Sequence, residues 1–210
     1  MRKDFSPSDL SSAEFYRLLT ALVVPRPIAW VSSTSAEGVD NLAPHSFYTV
    51  ASVTPPILQF TSVGRKDTLR NITERGEFVV NFAPASLMAE VNATGTNFPS
   101  DVSEFDAAGL TREPGRTVSV PRVAESPAAF ECRLHATQPM GDCVLIFGEV
   151  THAVVAGEVL AGDHPLIDRI GPLSRLGRDE WGLPGPVEEL KRIRRSEWPG
   201  SFRRRDERGA

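Results

Sequence analysis

Lys66-Asp-Thr-Leu-Arg-Asn-Ile72 combines residue types that suit the capture of an anion. Asp67 or Thr68 can cap a helix there, Leu69 and Ile72 supply its inward face, and Gly76 is placed to stop it. A helix start leaves N–H groups without intrahelical partners, so a phosphate can dock on them while Lys66 and the Thr68 hydroxyl add direct contacts. The same residues also fit a plain helix start, with Thr68 as cap and Lys66 solvated. A second candidate, Asn41-Leu-Ala-Pro-His-Ser-Phe47, enters a strand after a hairpin loop around Glu37-Gly38. Its small residues let a backbone run close to a planar ring, so that amides meet the ring's polar edge. Asn41, Pro44, His45, Ser46 and Phe47 are the candidates, although Asn41 equally suits a turn.

Three further places carry polar or aromatic groups. Trp30 lies mid-strand, with Ile28 and Ser32 on its side and Ala29, Val31 and Ser33 on the other; a buried indole serves a core as readily as a ligand. Thr61 and Ser62 close another strand, where hydroxyls bond a ligand or satisfy a turn. His164, in Gly162-Asp-His-Pro-Leu-Ile-Asp168, is a lone imidazole of a kind more often structural than reactive. Gly-x-Ser-x-Gly, P-loop, His-Glu-x-x-His and Gly-x-Gly-x-x-Gly patterns are all absent. A dinucleotide, if used, must therefore lie in an open groove.

The elements that would position these groups are legible from periodicity. Ser11-Ser-Ala-Glu14 offers a capping box, and Phe15, Leu18, Leu19 and Leu22 follow one helical face, which predicts a helix over 11–24. Short β runs follow at Ile28–Ser33, Phe47–Ala51, Ile57–Thr61, Phe78–Phe82, Phe130–Leu134 and Val144–Val150. Separated by Gly, Pro and Asn, they predict a closed or nearly closed antiparallel barrel. A second internal helix is expected over Ala85–Ala93 with Leu87, Met88 and Val91 inward. From Thr94 to Val118 the chain reads as a long ordered excursion anchored by Phe98, Phe105 and Leu110. After Pro184 a modest helix is expected over Val187–Arg195, and residues 184–210 read as a basic appendage to one domain spanning 1–183.

The chain has 210 residues, 40% apolar and 24% charged, enough for one sizeable core. No apolar run reaches the roughly 18 to 20 residues of a membrane span, and the first residues lack a secretory signal's apolar stretch, so a cytoplasmic protein is expected. Cys132 and Cys143 sit in strand-like runs without a Cys-x-x-Cys or His-rich neighbourhood, which predicts small buried residues and no metal. Net charge is −4, yet residues 188–210 hold eight basic against five acidic side chains. The interleaved acids make Arg192, Arg194, Arg195, Arg203, Arg204 and Arg205 a solvated tail and give no reason to infer a nucleic-acid partner.

The order Pro25-Arg-Pro-Ile-Ala-Trp-Val-Ser-Ser33, then Asn41 to Phe47, then Lys66 to Ile72, resembles the flavin reductase-like family of FMN-binding split barrels, which includes flavoredoxins and the reductase components of two-component monooxygenases. The resemblance extends more weakly to about residue 182, through Glu104-Phe-Asp-Ala-Ala-Gly-Leu-Thr111 and Pro172-Leu-Ser-Arg-Leu-Gly177. It implies a mainly β split barrel with peripheral helices. It also implies that Trp30, Ser32 and Ser33 lie near the ribityl chain and phosphate and that the 41–47 segment lines the flavin. Thr61 and Ser62 then bond the ribityl hydroxyls, and Lys66 and Thr68 hold the phosphate. His164 loosely resembles a segment placed near the nicotinamide in some members, and Trp181 stands where a tyrosine is usual. The implied activity is NAD(P)H-dependent reduction of FMN, or of FAD, in a homodimer that serves a partner monooxygenase or electron-transfer protein. A flavoredoxin-like carrier and a non-catalytic ligand-binding barrel are the rival readings.

Overall fold

The structure is a computed structural model that describes residues 1–198 and 200; Arg203, Arg204 and Arg205 of the basic tail lie outside the described residues. Seven strands form one antiparallel sheet: β1 (Ala29–Thr34), β2 (Asp40–His45), β3 (Tyr48–Ser52), β4 (Ile57–Val63), β5 (Glu77–Phe82), β6 (Ala128–Met140) and β7 (Cys143–Val155). Their order across the sheet is β2-β1-β5-β6-β7-β4-β3. The two edge strands, β2 and β3, are thus at opposite ends of the sheet, yet only Ser46 and Phe47 separate them in the chain. The sheet must curl until its ends meet at that corner. There the Thr61 N–H donates to the Phe47 carbonyl at 2.9 Å, whereas β2 and β3 form no ladder with each other. The barrel is closed at one corner and split along the rest, as a split barrel requires.

Alternation in β1 explains why it is buried on both faces. Ala29 and Val31 point into the barrel with Phe60, Phe78, Ile72 and Ile146, while Ile28 and Trp30 join an outer cluster with Leu42, Val91, Phe105 and Leu173. Gly148 is fixed by close approach, because a Cβ there would meet the Phe78 ring at 2.2 Å. The outer cluster is roofed by two helices, α3 (Met88–Ala93) and α4 (Glu104–Ala107), and by the excursion beyond them. Glu131, fully buried on β6, ties that excursion down by accepting the backbone N–H groups of Arg116 and Thr117 and pairing with Arg122 at 3.1 Å.

The N-terminal helix α1 (Ser12–Leu22) has the expected capping box between Ser11 and Glu14. Its expected inward face is only partly used, since Leu19 and Leu22 are exposed. A second helix, α2 (Asp67–Arg75), ends at Gly76 with φ +74°. Four local expectations need correction. The 85–93 segment splits into a 3-10 turn at Ala85–Leu87 followed by α3, and Met88, at the first position of α3, is exposed while Val91 is buried. Residues 187–194 adopt no helix, and a short 3-10 turn, Arg195–Glu197, stands instead. Val187, Leu190 and Ile193 find nothing to pack against and remain exposed, so the segment lacks the buried face that stabilises a short helix. Cys132 is buried, but Cys143, at the hairpin end of β7, is half-buried. No helix among the described residues is long and apolar enough to cross a membrane, and no group of metal-binding side chains occurs among them.

Candidate functional site

A cleft of about 420 Å³ opens where β2 parts from β4, within the size range of small-molecule sites. The ladder between β3 and β4 stops at Tyr48 opposite Phe60, and apart from the Thr61 N–H given to Phe47 the end of β4 through Val63 presents an open strand edge to the cleft. On the other side, the Leu42 N–H turns away from β1 and donates to Glu104 at 2.9 Å. The backbone of alternate residues in β2 therefore faces outward, and Pro44, which has no N–H, falls at such a position.

The cationic end is built by α2. Lys66 is its N-cap residue and makes no side-chain capping bond, so the first N–H groups of the helix have no side-chain partner. Neither Asp67 nor Thr68 caps the helix, contrary to expectation. The Thr68 hydroxyl instead donates to Asn41 Oδ1 at 2.9 Å, while Asp67 pairs with Arg70 at 2.7 Å. Arg65 and Lys66 both line this end, and Lys66 Nζ donates to Asn97 Oδ1 at 3.3 Å.

At the centre, Asn41 donates its side-chain N–H to Glu104 at 2.8 Å and accepts from Thr68 and, at 3.4 Å, from Ser33. Asn71 extends the network by donating to Ser33 Oγ at 3.3 Å. His45 is 9% exposed and lies beside the Phe60 ring, with Nδ1 3.3 Å from the Thr61 carbonyl oxygen. A carbonyl only accepts, so Nδ1 carries the proton and Nε2 is a bare acceptor; it is buried without a partner. Burial pushes the His45 pKa down to about 4, which keeps the ring neutral. At the corner, Arg26 Nε donates to Ser46 Oγ at 3.3 Å, and the same guanidinium bonds the carbonyls of Thr20 and Leu176.

Eight of the residues singled out in the sequence meet in this cleft: Asn41, Pro44, His45, Ser46, Phe47, Thr61, Lys66 and Thr68. Five do not line it. Trp30 is fully buried in the outer cluster, with Nε1 donating to Thr94 Oγ1 at 2.9 Å. Ser32 shares that face and bonds the Pro121 carbonyl at 2.6 Å. Ser33, on the barrel side, is fully buried and reaches the cleft only through Asn41. Ser62 points into the barrel wall and satisfies the Gly64 carbonyl at 2.9 Å. His164 is exposed in a separate two-strand hairpin, Leu160–Ala161 with His164–Pro165, that contributes nothing to the cleft. Sequence reasoning missed Glu104, Arg65 and the wall from Thr94 to Phe98. The Glu104 segment was noticeable, but a carboxylate on a four-residue helix far along the chain carries no local sign of its partner.

The family model for the flavin reductase like domain matches residues 21–172. An uncharacterised protein of Halalkalibacterium halodurans is 39% identical over 199 residues, covering 89% of this chain and 95% of its own. The crystal structure of nitrilotriacetate monooxygenase component B from Bacillus cereus is similar with a TM-score of 0.86 and 33% identity, over 90% of this chain and 99% of that one. A 2-nitrobenzoate 2-nitroreductase from Pseudomonas fluorescens gives a TM-score of 0.84 and 31% identity, over 90% of this chain and 95% of that one.

Proposed function

The chain belongs to the flavin reductase-like domain family, and we propose that its cleft binds FMN and that the protein is an NAD(P)H-dependent flavin oxidoreductase. The observation that carries this reading is the uncapped start of α2 with Arg65 and Lys66 beside it, at one end of a cleft whose other walls are open strand edges. A terminal phosphate monoester, with between one and two negative charges near neutral pH, matches that end better than the bridging diphosphate of FAD. The remaining donor set also fits a flavin. Thr61 and Asn41 offer groups to a polyol chain, the bare Nε2 of His45 suits a hydroxyl or imide N–H, and Pro44 and Phe47 give an apolar wall.

When bound, the flavin would supply the redox chemistry by taking a hydride from NAD(P)H and passing electrons on. The protein's share is to hold and orient. Arg65, Lys66 and the α2 amides hold the phosphate, and Glu104 fixes the rotamer of Asn41. Ser46, whose oxygen accepts from Arg26, is left with its O–H free to donate into the cleft. No side chain needs to move a proton for hydride transfer between two rings. The likeness to a monooxygenase component supports delivery of reduced flavin to a partner monooxygenase. Exposed Leu19, Leu22, Val50 and Val53, together with the unpaired edge of β3, support a homodimer.

Loading the purified protein with FMN and adding NADH or NADPH without oxygen tests the reading. Bound flavin should bleach. Failure to bind either FMN or riboflavin overturns it, and flavin that binds but bleaches only with a protein reductant makes the molecule an electron carrier.

A further inference from the structure

Arg26 is a buried cation without an acid. The residue is 7% exposed, and among the described residues no carboxylate lies within ion-pair distance of it. Dipoles hold it instead. Nη1 donates to the Thr20 carbonyl and, at 3.5 Å, to the Val23 carbonyl, both at the C-terminal end of α1, where a helix carries partial negative charge. Nη2 donates to the Leu176 carbonyl at 2.9 Å. These bonds fix the guanidinium plane and direct its Nε–H to Ser46 Oγ, 3.3 Å away in the lining of the cleft.

Partial charges do not cancel a whole one, and a second cation adds to it. Arg26–Pro27 pairs with Ser174–Arg175 in a short antiparallel ladder whose register sets Arg175 directly opposite Arg26. Burial pushes the Arg26 pKa below its usual value, opposed by the nearby Tyr16 and reinforced by the like charge of Arg175. Negative charge arriving near Ser46 relieves this imbalance.

That charge is not the phosphate, which the α2 end with Arg65 and Lys66 is built to take. Asn41, bonded to Thr68 on α2, marks that end on β2. From Asn41 to His45 are four strand steps of about 3.4 Å, so Ser46 lies roughly 14 Å or more further along the cleft. The acids in the lining, Asp67 and Glu104, belong to the α2 end and are engaged there with Arg70 and with Asn41 and Leu42. A flavin whose phosphate sits at α2 extends its ring toward Ser46, and that ring gains negative charge on reduction.

We propose that Arg26, acting through Ser46, makes the cleft hold reduced flavin more tightly than oxidised flavin and so raises the potential of the bound cofactor above that of free FMN. The Nε–H bond polarises the Ser46 hydroxyl, whose own O–H becomes a stronger donor to a ring atom that turns anionic. Arg26 is thereby a positioning residue, since it touches Ser46 and does not line the cleft. The inference rests on the proposed flavin site and deepens it: a protein that keeps its reduced flavin hands it to a partner on contact instead of releasing it into water.

The midpoint potential of bound flavin, measured by anaerobic dye equilibration of the FMN-loaded protein, tests this. In the wild type it should lie above that of free FMN in the same buffer. Arg26→Gln should lower it by about 30 to 60 mV, a tenfold to hundredfold loss of preference for reduced flavin at about 30 mV per decade for two electrons. Arg26→Lys keeps the charge and should recover most of the shift, a rescue that a merely structural role does not produce. Ser46→Ala leaves the bonds of Arg26 to α1 and Leu176 in place and should lower the potential by about 30 mV, so it decides the matter if Arg26→Gln does not fold. A wild-type potential at or below that of free FMN, or a potential equal to wild type in Arg26→Gln or Ser46→Ala, overturns the inference and leaves the flavin site standing. A wild type that binds neither FMN nor riboflavin overturns the flavin reading and this inference with it.

Discussion

The Glu104 carboxylate accepts a hydrogen bond of 2.8 Å from the side-chain amide of Asn41, which decides which way that amide faces. With its N–H given to Glu104, Asn41 must present Oδ1 to Thr68 and Ser33. One acid on α4 thereby sets the donor and acceptor pattern across the centre of the cleft. The same oxygen, Oε2, also accepts the Leu42 N–H at 2.9 Å, so it satisfies an edge strand that has no strand neighbour there.

Both bonds fall on one oxygen, and that fact separates acceptor from charge. Glu104→Gln can put its carbonyl oxygen in the same place and should bind flavin almost as the wild type does. Glu104→Ala leaves two buried donors unsatisfied, at about 1 to 3 kcal/mol each, and should lower both unfolding stability and flavin affinity. Fluorescence titrations and urea unfolding of both variants decide the matter; a Gln variant as damaged as the Ala variant would show that the charge is what counts.

Lys66 should behave differently. Removing its ammonium as Lys66→Ala takes away a charge-assisted contact of roughly 1.5 to 3 kcal/mol, or about ten- to a hundredfold in FMN affinity. Riboflavin has no phosphate and should bind nearly as before. Equal losses for the two ligands in a cooperatively melting variant would remove Lys66 from the phosphate site.

What the sequence shows and what it hides follow from how far each signal reaches. The Ser11–Glu14 capping box, the Gly76 stop and the six expected β runs are local patterns, and all of them formed. Which face of a strand meets a ligand depends on what covers it. Trp30 and Ser32 share a face that α3, α4 and the excursion bury, and only the tertiary fold reveals that. Thr68 looked like a cap because Ser and Thr often are; here Asn41, brought close by the curl of the sheet, takes its hydroxyl. The Val187–Arg195 segment has helical residue types, but no partner surface covers its apolar side chains, and propensity alone does not hold so short a helix.

The position of His164 gives the expected nicotinamide role no support within one chain. It is exposed on a hairpin that takes no part in lining the cleft. His164→Ala should leave flavin affinity and the rate of flavin reduction by NAD(P)H within twofold or so of wild type, as surface substitutions away from such features usually do. Stopped-flow reduction under anaerobic conditions measures this. A reduction rate slowed by tenfold with unchanged flavin affinity would put His164 at the nicotinamide after all.

His45 makes stability depend on pH in a direction that the structure fixes. Its folded pKa is depressed to about 4 because burial disfavours the charged ring, while an unfolded histidine titrates near 6.5. Between these values the unfolded chain binds a proton that the folded chain refuses. Stability from this residue is therefore complete above about pH 6.5 and declines as pH falls toward 4, by about 3 kcal/mol in all. His45→Asn keeps a donor for the Thr61 carbonyl but does not titrate, so it should lose this slope. The measurement is urea unfolding of both proteins near neutrality and at about pH 4.5, where the other groups cancel in the difference. Parallel losses in wild type and His45→Asn would mean that the imidazole is not held neutral at the split of the barrel.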